Sequence, residues 1–371
     1  MRAALIEEAG RPPEPAEVPE PRRAPGEALV RIHAAALNPV ELHIWNGHFF
    51  DGPPRPPYVI GLEGVGVVEE GERLAPGTRV RVEYVHPGYG RDGAVAEYAV
   101  APEEPDASDR ASQASVAPIG DGLGDVEAAA LGVPVFTALM CLERAQRAGA
   151  ALEGAHVLVT GATGAVGLVA VQLAKLMGAK RVVAAGRNVE RLQRARELGA
   201  DATVELGDGA GARDADASGA GAGAGVRDAD ASGPGTAGPA SEAATALRDR
   251  FAEAADGRLD VALDPLWGEP ARAAIEALTH DGIYVSFGQA ASPVAELSGI
   301  PMRNRGVVLV GHSGAWATPQ ERQAALARAH DLASKAGGRL TLDTEELALD
   351  EIAGAWERLA RSAGRRMVVR P

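Results

Sequence analysis

Residues 157–175, VLVTGATGAVGLVAVQLAK, limit this chain to a small set of folds. Three apolar residues, Val157, Leu158 and Val159, run into a turn made of Thr160, Gly161, Ala162, Thr163, Gly164, Ala165, Val166 and Gly167. Val166, Val169, Ala170 and Leu173 then recur at helical spacing. A strand, a glycine turn and a helix in that order let a pyrophosphate approach the backbone and sit on a helix N-terminus. Ala162 takes the first position of GxGxxG, ahead of Gly164 and Gly167, so the context carries the reading. A second apolar strand, Arg181–Ala185, begins soon after Gly178, within the span of one βαβ unit. The segment therefore predicts a dinucleotide-binding turn.

The tip after that second strand reads Gly186-Arg187-Asn188, with Arg191 one turn into the next helix. A carboxylate here would accept from a ribose 2′-hydroxyl, but none occurs before Glu190. Two guanidinium groups and an amide suit a 2′-phosphate through charge-assisted, bidentate hydrogen bonds, which favours NADP(H) over NAD(H). The same residues also suit a solvated helix start, since Arg194 and Arg196 follow. Asp264, Leu266, Phe287, Gly288 and Gln289 are expected to complete the cofactor site. The last two follow a strand carboxyl end, beside the nicotinamide amide.

A chain of 371 residues has room for two domains. It contains no uninterrupted 18-residue apolar run, so no membrane span is expected. The opening MRAALIEEAGRPPEP lacks a signal-peptide apolar core, and the single Cys141 excludes an internal disulfide and a thiolate-rich zinc site. A cytoplasmic protein is expected. A net charge of −14, spread along the chain, argues against nucleic acid and anionic membranes as partners.

Short β-like runs at 28–36, 64–69, 78–84 and 94–100, separated by Pro/Gly turns, predict a mostly-β domain near the start. Residues 126–145 read as two helical pieces around Gly132-Val133-Pro134. Strands at 157–160, 181–185, 202–204, 259–263, 282–287 and 307–310 then alternate with helices, the mark of a parallel sheet covered on both faces. The fold class is thus α/β: a doubly wound parallel sheet over 123–315, and a mostly-β domain over 1–122 completed by 316–371. Between 207 and 240 nearly every residue is Gly, Ala, Asp or Ser, and RDADASG occurs at Arg213–Gly219 and again at Arg227–Gly233. This reads as a flexible surface insertion.

The order of these pieces resembles the medium-chain dehydrogenase/reductase superfamily, in its zinc-independent, zeta-crystallin-like quinone oxidoreductase branch. The resemblance rests on AAALNP at Ala34–Pro39, GLEGVG at Gly61–Gly66, DGAVAEY at Asp92–Tyr98 and EAAAL at Glu127–Leu131, besides the glycine turn. ELGAD at Glu197–Asp201, DVALD at Asp260–Asp264 and VSFG at Val285–Gly288 complete it. It implies a GroES-like catalytic domain, a Rossmann domain, a homodimer, and a cleft between the domains that holds NADPH. Zinc-dependent relatives carry Cys where this chain has Asn38, His where it has Leu62, and Cys near Val133. Glu63 remains, and one carboxylate cannot hold zinc, so no metal is expected.

Without a Lewis acid, hydride transfer to a quinone or an α,β-unsaturated carbonyl compound is the chemistry that the resemblance implies. A polyketide-type enoyl or ketone reductase is the alternative enzyme. A non-catalytic NADPH-binding redox sensor or structural protein is the alternative outside enzymes. His43, five residues after Asn38, takes the place of a proton-relay His, and either donates to substrate oxygen or only contacts the cofactor ribose. Asn38 is the second catalytic candidate, as an amide donor to a substrate carbonyl. Phe49, Phe50, Tyr84, Tyr89, Phe136 and Trp267 offer apolar pocket lining, whereas His48, His86 and His312 read as structural.

Overall fold

The computed structural model describes residues 1–47, 52–85, 87–105, 114–207, 242–361 and 365–371. His48, Phe49, Phe50, His86 and the expected insertion beyond Gly207 lie outside the described residues. Strands β1 (Arg2–Ile6), β2 (Glu14–Glu17) and β3 (Glu27–Ala36) precede helix α1 (Pro39–Trp45). Strands β4 (Tyr58–Val59), β5 (Glu63–Glu70), β6 (Arg79–Glu83), β7 (Tyr98–Pro102) and β8 (Ser115–Pro118) come next. After α2 (Asp125–Ala130) and α3 (Val133–Arg147), strands and helices alternate: β9 (His156–Val159), α4 (Ala165–Leu176), β10 (Arg181–Gly186), α5 (Val189–Glu197) and β11 (Ala202–Glu205). The alternation continues through α6 (Glu242–Ala254), β12 (Val261–Asp264), α7 (Gly268–Ala277), β13 (Ile283–Ser286), α8 (Ile300–Arg305) and β14 (Val308–Gly311). The tail adds α9 (Pro319–Lys335), β15 (Thr344–Ala348), α10 (Ile352–Ala360) and β16 (Arg366–Arg370).

The chain divides into two compact units, Met1–Leu139 with Ser313–Pro371, and Met140–His312. In the first, one sheet runs β15-β16-β3-β5-β6-β8 with β7 also on β3, and a second runs β2-β1-β4. The tail joins by β16 pairing antiparallel with β3, Val368 opposite Ala36. Alternation along β3 and β6 puts Val30, Ile32, Val80 and Val82 into a core shared with Ile352, Trp356 and Val369 of the tail. The division falls within α3, later than the expected boundary at 122/123. Alanines of α2 pack on Ala34, Ala36, Val65 and Val368, so that helix belongs with the β unit.

The expected strand at 94–100 starts only at Tyr98. Val95 N–H donates to Ile60 C=O at 2.9 Å and Ala94 N–H to Gly61 C=O at 3.0 Å, which draws residues 94–96 inward as buried irregular chain. Gly61 has φ +116°, and a Cβ there would lie 2.6 Å from Val95 N.

The second unit is a six-stranded sheet in the order β11-β10-β9-β12-β13-β14, parallel throughout. Chain order reverses beside β9, the arrangement of a doubly wound nucleotide-binding fold. Leu158, Val183, Val204, Phe251, Leu259 and Ala262 form its core on one face. Helix α4 buries Leu168–Ala174 in an almost unbroken apolar run, as a helix laid across a sheet requires.

Candidate active site

The turn after β9 has the geometry that the motif predicts. Gly161 has φ +57°, and a Cβ there would lie 2.7 Å from Pro265 Cγ. At Gly167 a Cβ would lie 2.5 Å from Ala162 Cα, so only glycine lets α4 approach the turn. Ala162 is buried and its N–H donates to Ala185 C=O at 2.9 Å, which explains why alanine serves at the first motif position. Gly164, the N-cap of α4, is exposed. Ala165 and Val166, which open that helix, are half-buried, so backbone N–H groups and the helix dipole face an accessible edge.

At the end of β10, Gly186 is buried against Thr163, while Arg187 and Asn188 are exposed and Arg191 is half-buried. Asn188 caps α5, its Oδ1 accepting from Arg191 N at 2.9 Å. Gly288 and Gln289 are exposed just beyond β13, and Leu266 and Phe287 are half-buried. These groups line the carboxyl-end edge of one parallel sheet and fit a dinucleotide. Thr160 and Asp264, expected in the cofactor site, turn their side chains to each other. Both are fully buried, and the Thr160 hydroxyl donates to the Asp264 carboxylate. Asp264 also accepts from Trp267 N at 2.7 Å and Tyr284 Oη at 2.5 Å.

In the β unit, His43 is exposed on α1, whereas Glu41 and Ile44 of the same helix are buried. Asn38 needs a correction. It is 2% exposed, and its amide is committed: Nδ2 donates to Ala36 C=O at 3.1 Å and Glu63 Oε1 at 3.2 Å, and Oδ1 accepts from Arg366 Nη2 at 2.9 Å. An amide so enclosed orients its own neighbours rather than a substrate carbonyl.

Glu63 is the centre of that cluster and is fully buried. One oxygen accepts from Arg366 Nη2 at 2.6 Å, the other from Arg81 Nη1 at 3.2 Å and Val133 N at 2.9 Å. Arg366 also donates to Leu37 C=O, and Arg81 to Ala128 C=O. Burial pushes the Glu63 carboxyl up, against the pull of the two guanidinium groups. A Cβ at Gly132 would collide with both Glu63 and Arg81, so glycine is required at the start of α3. Glu41 takes the Asn38 N–H at 3.0 Å on one oxygen; burial raises its pKa to about 7. Among the described residues, no group of three or more His, Cys, Asp or Glu side chains is placed to hold a metal ion. Asn38, Leu62 and Val133 offer neither thiolate nor imidazole beside Glu63, and both Glu63 oxygens accept from guanidinium groups.

Sequence reasoning missed Arg81, Arg366, Glu41 and Tyr284. Arg79, Arg81 and Glu83 alternate with apolar residues along β6, a pattern that reads as a solvent-facing charged side, yet Arg81 and Glu83 are buried. Arg366 stands out in the sequence only as an arginine at the start of the last strand, with a doubtful cofactor role, and its pairing gave no signal because its partners lie 303 and 328 residues away. Tyr84 is core, with its hydroxyl on Val100 C=O, and Phe136 is buried as well. His312 is held down to about 4 by burial and by Arg144 and Arg147.

A GroES-like β unit and a glycine-turn Rossmann unit together define the two-domain dehydrogenase class. The Alcohol dehydrogenase GroES-like domain family matches residues 24–106, and the Zinc-binding dehydrogenase family matches 165–229. An alcohol dehydrogenase of Geobacillus stearothermophilus is 34% identical over 232 residues, 55% of this chain and 63% of that relative. A quinone oxidoreductase of Mus musculus is 34% identical over 165 residues, 43% of this chain and 44% of that relative. The match thus spans less than two thirds of these relatives' own length. The quinone oxidoreductase of Thermus thermophilus, solved also with NADPH, superposes with TM-score 0.70 at 27% identity over the whole of both chains. A mycobacterial quinone oxidoreductase shares the fold, with TM-score 0.74 at 22% identity over the whole of both chains. The chain is thus similar to the medium-chain dehydrogenase/reductase superfamily in both of its domain families, and to quinone oxidoreductases of that superfamily in fold.

Proposed function

We propose that this protein is an NADPH-dependent oxidoreductase that transfers hydride to a quinone or an α,β-unsaturated carbonyl compound without a metal ion. The observation that carries the reading is the glycine turn at the N-terminus of α4 beside an arginine-bearing tip on β10. The N-terminus of α4 holds the pyrophosphate, Arg187 and Arg191 hold the 2′-phosphate, and Gly288 and Gln289 receive the nicotinamide amide. When bound, NADPH supplies the hydride. The metal-free part is supported by Glu63, whose two oxygens already face Arg366 and Arg81.

Reduction of a conjugated carbonyl builds negative charge on oxygen, and a hydrogen-bond donor there lowers the barrier. His43, exposed on α1, is the candidate donor. Asn38, Glu63 and Arg366 fix the first turn of that helix and so hold His43 in place. A reductase of this kind acts on small molecules as a cytoplasmic homodimer, in which two β14 edges meet. The reading is tested by following oxidation of NADPH and of NADH with quinones, enones and enoyl thioesters. NADPH-selective turnover with at least one class is expected; NADPH binding without turnover on any of them would make the chain a non-catalytic binder.

A further inference from the structure

Strand β13 and the turns that follow β9 and β12 meet on one carboxylate. Asp264, at the end of β12, takes the Thr160 hydroxyl on one oxygen and the Trp267 N–H and Tyr284 hydroxyl on the other. All three donors are neutral. The turns after β12 and β13 are also zipped by backbone: Ala290 N donates to Pro265 C=O at 3.0 Å and Ala291 N to Leu266 C=O at 2.8 Å. A Cβ on Gly288 would lie 2.6 Å from Pro265 O, so the segments around 265 and 288 behave as one piece.

Within this piece Trp267 is held at φ 61°, ψ −167°, a conformation that bulky L side chains rarely adopt. Such strain persists only where the surroundings over-determine it, and it concentrates at ligand sites. The constraint on Trp267 is its N–H bond to Asp264. Its indole lies 6.1 Å from the Tyr284 ring, tilted by 52°. Together with Ser286, Gln289 and Leu309 the two rings line a cavity of about 280 Å³ at the ends of β13 and β14. Ligands of open parallel sheets bind at that edge.

We propose that Asp264 and Tyr284 are positioning residues that fix Trp267 as the aromatic wall of a subsite for a planar conjugated ring bearing a carbonyl oxygen. Ser286 and Gln289 supply polar groups for that oxygen. Such a ring belongs either to the carboxamide end of the dinucleotide or to a quinone acceptor, so the proposal rests on the function proposed above.

The test is fluorescence titration of the full chain with NADPH, with 2′,5′-ADP, which lacks the ring, and with a water-soluble quinone. Wild type, Tyr284→Phe, Trp267→Phe and the double variant are compared, with melting curves to confirm folding. Tyr284→Phe should weaken the ring ligand about tenfold, the effect of one lost buried hydrogen bond. It should also reduce the Trp267-dependent quenching and leave 2′,5′-ADP unchanged. Tyr284→Phe should cost nothing more in the Trp267→Phe background. Equal ring affinity and quenching in wild type and Tyr284→Phe, or additive losses in the double variant, would overturn the proposal. If wild type binds neither NADPH nor 2′,5′-ADP, the nucleotide reading fails instead, and the quinone titration alone decides the subsite.

Discussion

Arg187 and Arg191 sit where β10 gives way to α5, one exposed and one half-buried, and no carboxylate lies at the tip before Glu190. Replacing either by alanine should cost NADPH about 1.5–3 kcal/mol of binding and NADH little, as for other hydrogen bonds to charged groups. Parallel titrations with both cofactors check this, and equal losses for the two would remove the 2′-phosphate assignment. His43→Ala should lower turnover on an enone about 10²-fold, the usual scale for acid–base groups. The loss should be far smaller on a quinone, whose reduced oxygen takes its proton from water. Unchanged enone turnover with weaker NADPH binding would make His43 a ribose contact. Glu41 offers a pH prediction. Burial lifts its carboxyl from about 4.5 to about 7, so across that window the folded chain keeps a proton that the unfolded chain has lost. Stability then falls as pH rises through the window, by about 3 kcal/mol at most. Melting curves of Glu41→Gln should lose this slope relative to wild type; an identical slope would assign the titration elsewhere. The glycine turn was legible because its geometry is local. The fate of Asn38 was not, since the guanidinium that encloses it comes from the far end of the chain.

Elements follow the same division. Strands β9, β10 and β12 announce themselves as apolar runs between turn residues, and α9 by its 17-residue helical pattern opened by a Thr318 cap on Glu321 N–H. Strand β15, TEELA, carries no β pattern; it forms because β16 offers a parallel partner from Arg366 to Arg370. Residues 94–96 read as strand because buried irregular chain is as apolar as strand, and only their long-range bonds to 60 and 61 separate the two. The Gly/Ala/Asp stretch between β11 and α6 offers little apolar surface to a core. Removing residues 209–238 should therefore leave the melting temperature and turnover close to wild type, because loop-closure entropy changes slowly with length. A large drop in melting temperature would show that the stretch packs on the body or on a partner.

At the scale of the whole molecule, β14 ends the six-stranded sheet with an edge that has no strand partner among the described residues, and Val308 on it is 39% exposed. An open apolar edge invites pairing, and a two-fold axis would join two copies into one continuous sheet. Light scattering at micromolar concentration should give twice the mass of the 371-residue chain, 38.1 kDa each; a monomer would remove that interface. In the proposed reductase, arginine rather than a metal faces Glu63. This is tested most directly by the rate of NADPH oxidation, with an accepted quinone or enone, on chelator-treated protein whose zinc content has been measured. The account predicts an unchanged rate at far less than one zinc per chain. One zinc per chain, with activity lost to the chelator and restored by zinc, would contradict it.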